Sequence, residues 1–257
     1  MLILDELSYA KHLLKDGLGD YPKLKDLIVI AKYLKYIGEE THNIKTKLNK
    51  ICIDTDKSFN QVVNGWKITK SINTTKTYRL RTSFPVTITK AEIKSIQQFN
   101  NYNYEKILFV LLVYCKFLKY ANTRIKPSIR LRNINEFFVN EKFSNIVKVA
   151  RVSIKKAKRN QMLNEFYLAG LIDGTSYGSL KIKYVNENSD PCIIVTDLEN
   201  IVLYYQRYKG EAVAGCQCGR LFLRKSNRHS LCRFCFQEQR LEKKKIYNKD
   251  YYLNVIN

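Results

Sequence analysis

Glycine and proline are scarce in this chain: 10 and 4 residues in 257. That excludes collagen-like and low-complexity architectures. It also leaves no glycine-rich loop of the kind that cradles phosphates. Histidine is scarcer still, at 3. His12, His42 and His229 stand in no H-E-x-x-H or His-Asn setting. The hydrolase motif G-x-S-x-G is absent as well. No catalytic residue is nominated, and no enzyme is expected.

Long hydrophobic runs are missing too. The longest is Ile107-Leu-Phe-Val-Leu-Leu-Val-Tyr-Cys115, flanked by Lys106 and Lys116. It falls short of the roughly 18 apolar residues of a membrane span and is expected to be a buried helix. Met1-Leu-Ile-Leu-Asp-Glu-Leu lacks the basic start and cleavage site of a secretory signal. A cytoplasmic location and no membrane partner are expected.

Acidic residues are also in deficit. Asp and Glu number 23 against 45 Lys and Arg, for a net charge of +22. Self-repulsion of that size is relieved by a polyanion, and nucleic acid is the leading candidate. The competing account is coding bias, since Lys, Asn, Ile and Tyr are all abundant. With 45% apolar and 12% aromatic residues there is ample material for a folded core.

The patterning predicts a mainly α chain with small β elements (α+β) in three domains: a helical region over 1–95, a winged helix-turn-helix over 96–210, and a zinc ribbon with a basic helix over 211–257. Helical spacing is clear in Leu24, Leu27, Ile30, Ala31 and Leu34, with Gly38 as a stop, and again over Ile44 to Ile53. From Trp66 to Thr89 the composition is strand-like, and a strand pair or an extended linker is expected. Thr89 and Glu92 have the spacing of a capping box.

Three helices are expected over about 104–120, 142–150 and 155–169, the last ending at Gly170. Strands at Leu180–Tyr184 and Cys192–Thr196, joined by a polar turn, would follow as a hairpin. That order is the one a winged helix uses. Lys155, Lys156, Lys158, Arg159, Asn160 and Gln161 open the third helix, and Leu163, Phe166, Tyr167, Leu168 and Leu171 would bury its end. Such a helix can project its start into a major groove, where Arg and Lys suit guanine and Asn and Gln suit adenine. Lys181 and Lys183 on the wing would meet the adjacent phosphates. Asn122 to Asn160 holds eleven Lys or Arg, including Arg124, Lys126, Arg130 and Arg132, against Glu136 and Glu141. The competing account is a protein-docking winged helix with a solvated basic face.

The seven cysteines are unevenly placed. Cys216, Cys218, Cys232 and Cys235 lie within twenty residues, while Cys52, Cys115 and Cys192 stand alone. Paired cysteines in a chain without a secretory signal point to four thiolates on Zn²⁺ rather than to disulfides. The first pair is one residue shorter than C-x-x-C, which makes His229 a substitute ligand candidate. Arg220, Arg224 and Arg228 give the module a basic surface and are expected to contact nucleic acid. Tyr247, Tyr251 and Tyr252 would pack the following helix or stack on bases.

Ile30-Ala-Lys-Tyr-Leu34, Tyr104-Glu-Lys-Ile-Leu-Phe-Val-Leu-Leu112, Ala169-Gly-Leu-Ile172 and the cysteine cluster together resemble an uncharacterised family of low-GC Gram-positive bacteria, their phages and prophages. The resemblance implies a phage or mobile-element origin and names no activity. The expected function is duplex DNA binding in transcription regulation or replication initiation. The alternative is a protein-binding factor that inhibits or modulates a host nucleic-acid machine or defence system.

Overall fold

A computed structural model describes residues 3–121, 136–175, 178–226 and 229–255, the last eight of these by backbone alone. The described chain is α+β, with helices dominant and three small antiparallel sheets. It forms two compact units. One comprises Met1–Phe84, Tyr114–Lys142 and Phe166–Lys183, and the other Pro85–Val113, Phe143–Glu165 and Tyr184–Asn257.

The first unit opens with α1 (Glu6–Asp16), α2 (Leu24–Tyr36), α3 (Thr41–Thr55) and α4 (Gln61–Thr77). Leu27, Ile30, Ala31 and Leu34 of α2 recur on one face and meet Ile44, Leu48 and Cys52 of α3 and Ile68 and Ile72 of α4 in a closed core. Val86–Thr89 does form a strand, but up to Thr77 the helix α4 replaces the strand pair or linker expected from composition. Its Val, Ile and Thr residues favour strands when judged locally. Burial overrides them, because Ile68, Ser71, Ile72 and Thr75 form one buried stripe at helical spacing. The hydroxyls of Ser71 and Thr74 donate to the carbonyls of Lys67 and Lys70 at 2.7 and 2.8 Å. Asn60 caps the start by accepting from the amides of Val62 and Val63.

This unit also holds a sheet of β2 (Phe137–Val139), β3 (Ile172–Gly174) and β4 (Leu180–Ile182), with β4 in the centre. Ile182 lies opposite both Phe137 and Ile172. The strand expected over 180–184 is therefore present over Leu180–Ile182, but its partner is not 192–196. A shorter hairpin wins: Thr175 donates to Ser179 at 3.0 Å, and Gly178 turns at φ 71°.

The second unit contains β1 (Val86–Thr89) paired with β5 (Pro191–Val195), then α5 (Lys90–Gln97). The capping box forms as expected: Thr89 N–H donates to Glu92 Oε2 at 2.8 Å, and Glu92 N–H to Thr89 Oγ1 at 3.4 Å. The same cap captures the 186–190 turn. Asn186 N–H donates to Glu92 Oε1 at 3.0 Å, and Thr89 Oγ1 donates to the Asn186 carbonyl at 2.8 Å. This delivers β5 to β1 and takes it away from β4.

The helix α6 (Tyr102–Tyr120) is buried on every side from Ile107 to Cys115, as its apolar run predicts. After α7 (Phe143–Val149) comes α8 (Lys156–Leu168), which stops at Gly170, φ 70°. There Leu171 N–H donates to the Phe166 carbonyl at 3.0 Å, a left-handed cap that glycine tolerates best. The end of α8 is not buried all round: Met162 and Phe166 are buried, but Tyr167 and Leu168 are 55% and 74% exposed. A 3.6-residue period cannot turn consecutive residues 166–168 to one face. The second unit closes with α9 (Ile201–Tyr208), the hairpin of β6 (Val213–Gly215) and β7 (Leu221–Leu223), and α10 (Arg233–Val255). No described helix is long and apolar enough to cross a membrane.

Candidate metal centre and nucleic-acid interface

The four clustered cysteines come together. The turn between β6 and β7 carries Cys216 and Cys218. It is closed by Gly219 N–H donating to the Cys216 carbonyl at 2.9 Å and by Cys216 N–H donating to the Arg220 carbonyl at 2.8 Å. Gly219 sits at φ 82°, so a side chain there would be strained. Cys232 immediately precedes α10 and Cys235 lies in its first turn. The second pair is thus carried by a helix start, not by the second hairpin of a ribbon.

All four Sγ atoms lie within 4.8 Å of one another, and Cys218 and Cys232 are 3.6 Å apart. A tetrahedron of thiolates at a Zn–S distance of about 2.3 Å has edges of about 3.8 Å. A disulfide needs about 2.05 Å, and all four cysteines are free. The set is thus a group able to hold a metal ion, and the short first pair converges with the second. Cys216, Phe222 and Cys232 are buried together, with Leu231 and Ala214 against them. Burial raises the Cys216 thiol, but amide donation from Cys232 and Cys218 outweighs it and brings the group down to about 6. Hydrogen bonds with the other three thiols push Cys235 up. One thiolate therefore forms readily, while burial of Cys218 and the neighbouring thiols around Cys235 hold those two protonated longer, the condition that a cation relieves.

His229 is not part of this group. Its Nδ1 accepts from Lys225 N–H at 3.3 Å, and its ring lies 4.9 Å from that of Phe222.

On α8 and the residue before it, Lys155, Lys156, Lys158, Asn160 and Gln161 are exposed and Arg159 is half-buried. Lys158 donates to Gln161 Oε1 at 3.2 Å, and Gln161 Nε2 to Glu165 Oε1 at 2.7 Å. Tyr104 completes the chain by donating to Glu165. Lys181 and Lys183 are already engaged, with Glu136 at 2.6 Å and Asp173 at 3.4 Å. Arg224 is exposed, with its N–H donating to the Ala212 carbonyl at 2.7 Å. Arg228, Arg124, Lys126, Arg130 and Arg132 lie outside the described residues, as do the side chains of Tyr251 and Tyr252.

A cleft of about 820 Å³ opens beside the cysteines. Arg151, Arg220, Lys225, Arg233, Phe234 and Phe236 line it, and no Asp or Glu does among the described residues. Arg220 stacks 4.6 Å from the Phe234 centroid and has Glu199 at 3.8 Å. Arg151 is one of the eleven basic residues counted over 122–160, but its place in this cleft was not expected. It follows α7 at φ 53°, a left-handed conformation costing about 1–2 kcal/mol outside glycine. No local pattern marks it, since it reaches the cleft only through the fold.

No protein-family model, curated protein or solved structure matches the chain.

Proposed function

We propose that the chain binds duplex DNA through a winged helix and carries a zinc-bound tail. The order α6, β2, α7, α8, β3, β4 and the sheet order β2-β4-β3 are those of a winged helix. The wing is then the short 175–179 connection rather than the 186–190 turn. The observation that carries the reading is the start of α8, where Lys156, Lys158, Asn160 and Gln161 stand exposed on a helix whose Met162 and Phe166 are anchored. Bases are read by side chains of these types. Lys181 and Lys183 serve the backbone only after phosphate displaces their carboxylates. These are solvent-screened pairs that contribute little, so displacement costs little.

Zinc suits the tail because four thiolates and a buried apolar floor favour a closed tetrahedral structural site. Cys216, Cys218, Cys232 and Cys235 would hold it, and the ion would tie the β6–β7 turn to the start of α10. The tail then has a structural role, with no chemistry of its own. A phage or mobile-element origin rests on the resemblance noted above, and a place in transcription regulation or replication initiation rests on the proposed duplex binding.

Duplex affinity measured against salt tests the reading. Neutralising roughly five phosphates gives a log–log slope of about −4 to −5. A flat response, or no binding at low salt, would sink it. A protein partner has its own support in Val62, Val63 and Trp66, which are 94%, 65% and 53% exposed at the start of α4.

A further inference from the structure

We infer that the cleft beside the four cysteines is a binding site for single-stranded nucleic acid, separate from the duplex surface proposed on α8. Four cationic side chains, Arg151, Arg220, Lys225 and Arg233, face one open cleft with no carboxylate in its lining. Their positions come from three parts of the chain: the turn after α7, the β6–β7 hairpin with the loop beyond it, and the start of α10. Arg220 keeps Glu199 at 3.8 Å outside the lining, yet four cations gathered on one cleft still call for an anion of several charges.

The aromatics decide which anion. Phe234 and Phe236 are 48% and 54% exposed on the first turn of α10, yet each opens onto the cleft. Arg220 lies over the Phe234 ring, 4.6 Å from its centroid, so cation and ring form one mixed surface. A paired base has no free face for such a ring, whereas an unpaired base stacks on it. A phosphate on the cations and a base on phenylalanine is the division of labour that single strands require. Arg151 is held towards the cleft by its Nη2 donating to Asn200 Oδ1 at 3.0 Å, which leaves its other donors to the ligand. Free inorganic phosphate would use the cations and ignore the rings.

The test uses the full chain with its metal, and labelled oligothymidylate and oligouridylate of about ten nucleotides. An abasic strand of the same length and a short duplex serve as comparisons. The base-bearing strands should bind more tightly than the abasic one, and the tighter of the two names DNA or RNA as the source. Phe234→Ala with Phe236→Ala should weaken that binding about tenfold or more and leave duplex binding unchanged. Lys225→Gln, an exposed loop change that spares the metal module, should lessen the single-strand salt slope by about 0.7. Equal affinity for the abasic strand overturns the proposal. So does full single-strand affinity in the double phenylalanine variant. Loss of duplex binding alone speaks against α8 and leaves this site standing.

Discussion

Lys32 donates to both carboxylate oxygens of Glu6, at 2.9 and 3.0 Å, with the two side chains only 8% and 4% exposed. The same carboxylate accepts from Arg81 N–H at 2.9 Å and Arg81 Nη2 at 2.8 Å. One buried acid thus ties α1 to α2 and to the segment that follows α4. Removing it leaves Lys32 buried without its counter-charge, which typically costs about 3–5 kcal/mol. Glu6→Ala should therefore lower the stability of the first unit by that order in denaturant unfolding. A loss below about 1 kcal/mol would mean that water reaches the pair.

Metal content gives a second expectation. Refolded, chelator-washed protein supplied with zinc should take up one ion per chain. Cys235→Ser removes a ligand from the first turn of α10 and should release the ion and loosen the β6–β7 turn. The core of α1–α4 shares no residue with that module, so most of the helical signal should persist. An unchanged tail in metal-free protein would mean that the apolar floor of Phe222 and Leu231 suffices.

The parts legible in the sequence are those set by neighbours in the chain. Thr89 and Glu92 stand three residues apart, and the cap they form needs nothing else. The run from Ile107 to Cys115 is apolar on every face, so only burial suits it. The cysteines converge because a turn and a helix start place each pair. What stayed hidden depends on distant partners. The valines, isoleucines and threonines of α4 resemble a strand until α2 supplies the surface that buries Ile68 and Ile72. The partner of β5 was missed because the Thr89–Glu92 cap, read as a helix start, also captures Asn186 almost a hundred residues away. Arg151 carries no local mark of the cleft it enters.

Alkaline pH should destabilise the fold through half-buried Tyr9 and buried Tyr104. Burial first, and then donation to Asp26 at 2.8 Å, push Tyr9 up to about 12; burial and Glu165 do the same for Tyr104. An unfolded tyrosine ionises near its ordinary value of about 10. The folded state holds its proton longer, so the stability these groups contribute is complete below about pH 10. It is lost as pH rises towards 12. Each proton contributes a slope of at most about 1.4 kcal/mol per pH unit over that window, less where solvent screens the group. Tyr104→Phe has nothing to titrate there, so its stability should fall less steeply than that of the parent. Parallel curves for the two proteins would place Tyr104 in contact with water.

The sharpest expectation concerns the order of effects along α8. Arg159, Asn160 and Gln161 follow one another, but they are not equally free. Gln161 bridges Lys158 and Glu165, and Glu165 is held in turn by Tyr104. Arg159 is half-buried while Asn160 is exposed. If the start of α8 reads bases, Asn160→Ala should remove about 1–3 kcal/mol of discrimination at one position of the site. Gln161→Ala should remove less, because its amide must first leave Glu165. Lys156→Ala should weaken all duplexes alike and reduce the salt slope by about one. Binding-site selection with each variant, followed by affinities for matched and mismatched duplexes, reads both quantities. Uniform losses from all three variants would make α8 a phosphate clamp without base readout. No loss from any of them would move duplex recognition off this helix and favour the exposed Val62, Val63 and Trp66 face as the working surface of a protein-binding factor.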